Sequence, residues 1–96
     1  MSLHEDEGNI GRYIEEVKRN KKPEQDVFFN FIEEEDEQNG RYILYIQPLR
    51  EKNGKREALK RPELISVFSN EQARLDSKNA ITKKYLENFT KPEKPL

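Results

Sequence analysis

Basic side chains in the second half of the chain are the residues whose type and spacing could do chemistry. Arg41, Arg50, Lys52, Lys55, Arg56, Lys60 and Arg61 follow one another between two apolar segments, and Arg74 and Lys78 come later, one helical turn apart. Lys83 and Lys84 lie beyond them, and Tyr42 and Tyr45 lie among them. Guanidinium and ammonium groups on a β-hairpin and a neighbouring helix can contact phosphate oxygens while strand residues enter a groove. The plainer alternative is a solvated basic face that ends strands and maintains solubility.

Other chemistries find little support. There is no cysteine, which excludes disulfides, thiolate metal sites and cysteine nucleophiles. The single histidine, His4, stands in an acidic N-terminal stretch without evident metal-ligand partners. No Gly-x-Ser-x-Gly elbow occurs, and Gly8 and Gly11 do not make a phosphate-binding loop. The run Glu33-Glu34-Glu35-Asp36-Glu37 lacks the alternating ligands and central glycine of an EF-hand loop. The expectation is a non-enzymatic protein with no cofactor and no metal.

Charge is unevenly distributed. Residues 1–40 carry 12 acidic and 5 basic side chains and residues 41–96 carry 7 and 13, so a net charge of −1 conceals two opposed halves. Such a layout predicts either halves that neutralise each other in the fold or simply face water, or a bipolar surface whose basic part meets an anion. At 96 residues, with 32% hydrophobic and 39% charged, the chain suits one small domain with a modest core that an oligomer or partner could support. No run reaches membrane-spanning length and the N-terminus has no signal-peptide core, which predicts a cytoplasmic protein.

The elements that must position these residues follow from periodicity. Ile10, Tyr13, Ile14 and Val17 recur at helical spacing, predicting a helix over 9–20 with Asn9 as N-cap, Lys18 and Arg19 at its negative end, and Pro23 beyond it. Residues 1–8 are expected to be a flexible acidic tail. Val27, Phe29 and Phe31 alternate with Phe28, Asn30 and Ile32, predicting a strand over 26–33.

A tight turn at Asn39-Gly40 would place Glu33 opposite Ile46 and Glu35 opposite Leu44. The expected register instead sets Phe31 against Leu44 and Phe29 against Ile46, with an acidic loop over 34–40. Residues 41–52 form a central strand with apolar groups on both faces, weakened at Pro48. Asn53-Gly54 predicts a two-residue turn that aligns Arg50 with Glu57 and Glu51 with Arg56, followed by a strand over 55–60. Residues 64–68 fit either a helix opened by Pro62 or a fourth short strand, and their bulky residues favour the strand.

Ser69 and Gln72 match a capping box for a helix over 71–89, with an apolar side of Leu75, Thr82, Tyr85, Leu86 and Phe89 and Ala80 and Ile81 beside it. Residues 90–96 are read as a Pro/Lys tail or linker, leaving a single domain over 9–89.

The expected fold is therefore α+β: a small three- or four-stranded antiparallel meander with an N-terminal and a C-terminal helix packed on one face. The helix–strand–strand–strand–helix order resembles double-stranded-RNA-binding domains, and the sheet-then-helix part is similar to arm-type DNA-binding modules of some recombinases. Both resemblances are topological. The lysine cluster that opens the last helix of the RNA-binding domains is replaced here by Glu71, Gln72 and Ala73. Two functional classes follow. One is a nucleic-acid-binding accessory module using the second hairpin and last helix. The other is a protein-interaction or dimerisation domain using a strand face with Phe28, Ile32 and Tyr45.

Overall fold

A computed structural model describes residues 3–22 and 26–86. Helix α1 spans Leu3–Asn20, and four strands follow: β1 (Asp26–Asp36), β2 (Arg41–Lys52), β3 (Lys55–Ala58) and β4 (Glu63–Phe68). Helix α2 spans Glu71–Ile81 and continues into a π-helical turn over Thr82–Leu86. The class is α+β, with a four-stranded antiparallel sheet that follows α1 and precedes α2 in the chain.

The first hairpin differs from expectation in register. β1 runs through the acidic segment to Asp36, so Phe31 faces Ile46 rather than Leu44 and Phe29 faces Pro48 rather than Ile46. A shift of two residues leaves every side chain on its own face, so alternation alone could not choose between the registers. The connection is a short 3₁₀ turn over Glu37–Asn39, closed by Gly40 at φ 64. Asp36 faces Arg41 across the ladder and accepts a hydrogen bond from the Asn39 amide at 2.8 Å.

β2 is central. β1 pairs along one side of it, while β3 and β4 share the other. β4 therefore returns to β2 instead of extending the meander beyond β3. The change of partner occurs near Pro48. Leu59 N–H donates to the Pro48 carbonyl at 2.8 Å, but proline has no N–H to return the bond, and β3 ends at Ala58 instead of reaching residue 60. The Gln47 side chain bridges the gap by donating to the Lys60 carbonyl at 3.0 Å. β4 then pairs with the first half of β2 through a bulge between Leu44 and Tyr45, where the extra residue, Ile65, is buried in the core.

Both helices pack on one face. Ile10, Ile14 and Val17 of α1 meet Val27, Phe29, Leu44, Ile46 and Ile65 of the sheet and Ile81 of α2. α1 begins at Leu3, within the stretch expected to be a tail, so Asn9 is interior to the helix and not its N-cap. The cap of α2 is Asn70, not Ser69. Its side chain accepts from Ala73 N–H at 2.8 Å, and Gln72 donates to Asp76.

α2 is also rotated relative to the predicted stripe. Arg74 and Ile81 are buried, whereas Leu75 is 43% exposed and Thr82 is exposed. The Thr82 hydroxyl donates to the Lys78 carbonyl at 2.9 Å, which accompanies the widening into the π turn. That turn brings Tyr85 onto α1 where Gly11 leaves room. A Cβ at Gly11 would lie 2.6 Å from the Tyr85 ring. The predicted final residues of this helix, 87–89, fall outside the described residues.

The second hairpin forms as predicted, with Asn53 at φ 58 and Gly54 at φ 79 and Lys52 facing Lys55. Gly54→Ala forces an L side chain into the left-handed region and is expected to cost about 1–2 kcal/mol. Urea denaturation monitored by circular dichroism checks this. An unchanged midpoint would remove the conformational argument for the turn.

Candidate nucleic-acid interface

The structure divides the nine predicted site residues into spent and available groups. Arg74 is the most buried, at 3% exposure. It donates to the Glu34 carbonyl at 2.7 Å and to the Glu35 carboxylate at 3.1 Å, and its guanidinium lies 5.4 Å from the centre of the Tyr42 ring. Lys78, one turn on, pairs with Glu33 at 3.2 Å and lies over the Phe31 ring. Both α2 cations therefore answer the acidic half of β1 and face inward. The carboxylates opposite Leu44 and Tyr42 on the helix-bearing face pair with these bases and keep part of their surface in water.

The hairpin residues separate by strand alternation. Arg50 and Lys52 share the helix-bearing face, with Glu57 and Lys55 opposite them. Glu51 and Arg56 share the other face, where they pair at 3.8 Å and Arg56 lies 4.6 Å from the centre of the Phe28 ring. Arg41 stands at the far end of β2, roughly 35 Å from Lys52 at strand rise. Arg61 is exposed in the segment between β3 and β4.

Arg50 and Lys60 are joined by residues that sequence reasoning had not placed in the site. A cleft of about 300 Å³ is lined by Val17, Asn20, Lys21 and Lys22 of the α1 end, by Arg50, and by Leu59 and Lys60. The Lys21-Lys22 pair just past a helix end was the available signal, but only the crossing of α1 over the β3–β4 connection brings it to Arg50. Lys60 is held with its ammonium 5.3 Å from the centre of the Tyr13 ring. Burial pushes the Tyr13 phenol above its ordinary pKa, and the nearby charge of Glu63 adds to the shift. Arg50 pairs with Glu57 at 3.3 Å, and Lys21 donates to the Lys22 carbonyl. Lys52 and Lys55 face each other beyond the cleft, both exposed. Like charges placed directly opposite repel, and an anion relieves that repulsion.

The opposite face of the sheet carries neither helix. Ile32, Ile43 and Tyr45 are half-buried there, Leu64 is 49% exposed and Val67 48% exposed. Phe28 differs from its predicted partners on this face because it is buried, at 6% exposure. Among the described residues, no group of three or more metal-ligating side chains is assembled and no helix is long and apolar enough to cross a membrane. Comparison with protein families, curated proteins and solved structures finds no match to this chain.

Replacing Arg74 by Met strips the Glu34 carbonyl and Glu35 of their partner. Glu35 is 40% exposed and can rehydrate, so the expected loss is about 2–3 kcal/mol, below the range for a fully buried pair. Lys78→Ala, at a half-exposed pair, is expected to cost under about 1 kcal/mol. Denaturant unfolding of both variants tests the order; equal losses would deny Arg74 its special weight.

Proposed function

We propose that this protein is a non-enzymatic module that binds nucleic acid through the basic end of its helix-bearing face. The carrying observation is the convergence of Lys21, Lys22, Arg50 and Lys60 around one cleft, with Lys52 and Lys55 extending the charge to the hairpin tip. Lys18 and Arg19 in the last turn of α1 offset the negative helix end nearby. Phosphate oxygens of a nucleic-acid backbone match this layout because each can accept from several donors while releasing bound counterions. Arg74 and Lys78 take no part in the proposed surface, since both serve α2 packing.

The test is fluorescence anisotropy with mixed-sequence oligonucleotides across a salt series. Affinity should fall steeply with salt, and Lys21→Glu/Lys22→Glu should weaken binding about tenfold at low salt, on the order of two lost phosphate contacts. Arg41→Glu, at the other end of β2, should leave affinity unchanged. No binding at low salt would overturn the reading.

A second reading rests on the helix-free sheet face. Its half-exposed Leu64 and Val67, beside Ile32, Ile43 and Tyr45, suit a protein partner or a second copy of the chain. Sedimentation over a concentration series addresses the second copy: self-association abolished by Val67→Lys supports it, and a monomer at every concentration removes it.

A further inference from the structure

The shape of the basic cleft carries the proposed function one step further, to the class of nucleic acid. This step rests on that reading. A duplex presents its phosphates on a convex cylinder with the bases stacked inside. Cations spread over a broad flat or gently concave surface suit it. Here the cations instead rim a cleft too small to admit a duplex, whose wall includes Val17 and Leu59. Val17 is buried and Leu59 half-buried, both packed into the hydrophobic core, so this apolar lining is held by the fold. The volume of about 300 Å³ stands at the small end of ligand pockets.

We infer that the cleft between the α1 end, β2 and the β3–β4 connection receives one unstacked nucleotide of a single strand. Lys21, Lys22, Arg50 and Lys60 hold its phosphates, and its base or sugar covers Val17 and Leu59. The Asn20 amide supplies a polar group at the same rim. An exposed base satisfies both parts of the cleft, the apolar lining and the charged rim. A paired base cannot reach the lining without leaving its stack. The ligand is a strand rather than a free nucleotide because Lys52 and Lys55 continue the charge on the same face, one alternate residue, about 7 Å, beyond Arg50. That places cations for the neighbouring phosphates.

The experiment compares four labelled or competing ligands on the full chain at one salt concentration: a single-stranded oligonucleotide, the duplex of equal length, the same strand with abasic sites, and a mononucleotide. The single strand should bind several-fold more tightly than the duplex or the abasic strand, and the mononucleotide should compete only weakly. Leu59→Asn should lower single-strand affinity towards the abasic level while leaving duplex binding unchanged, with circular dichroism confirming the fold. The abasic comparison stands even if that variant does not fold. Duplex or abasic binding equal to the single strand overturns the inference while leaving phosphate binding intact. A mononucleotide as tight as the strand overturns the strand assignment. Failure of every ligand to bind removes the parent reading and this one together.

Discussion

The contact between Arg74 and the acidic half of β1 is the interaction around which the first hairpin and α2 are arranged. An almost fully buried guanidinium is tolerable only when its donors are met, and here a backbone carbonyl, a carboxylate and an aromatic face meet them. The same contact makes the acidic extension of β1 tolerable. Glu33 and Glu35 point to the helix-bearing face, where they keep part of their surface in water and pair with Lys78 and Arg74 of α2. Helix rotation, strand length and register all meet at this one charge pairing.

That pairing also divides the charge of the molecule. Much of the sequence's acidic excess lies along β1 and its turn, and part of it is neutralised by α2. The bases of the second hairpin keep two carboxylate partners, Glu51 and Glu57, while Lys52, Lys55 and the lysines at the α1 end remain towards the opposite end of the sheet. Of the outcomes expected from the charge layout, neutralisation is seen at the first hairpin, where Arg74 and Lys78 pair with Glu35 and Glu33, while Lys52 and Lys55 stand exposed at the second.

Pro48 organises the other edge of β2. Its missing donor coincides with the end of β3, and the freed edge is taken by β4, whose bulge sends Ile65 into the core. One long strand consequently supports two short ones, and the β3–β4 connection is delivered to α1. The cleft owes its existence to this handover, since Leu59 and Lys60 lie in that connection.

Local chemistry was legible where a short stretch decides the outcome. Ile10, Ile14 and Val17 marked the buried stripe of α1, and Asn53-Gly54 marked a turn whose register holds pair by pair, because positive φ at both positions admits few residues. The fourth strand was only half legible: its bulky residues favoured a strand over a helix opened by Pro62, and its partner was not readable. The first hairpin was not, because registers separated by two residues present the same faces and only a distant helix distinguishes them. Nor was the orientation of α2, since Leu75 and Arg74 are adjacent and it is Arg74, paired with Glu35 and the Glu34 carbonyl, that is buried. By itself the sequence determined the α+β class, the core stripe of α1, the tight second turn and the opposition of charge. Tertiary structure alone decided which bases are spent and which remain, because ion pairing across 39 to 45 residues depends on where packing places a helix.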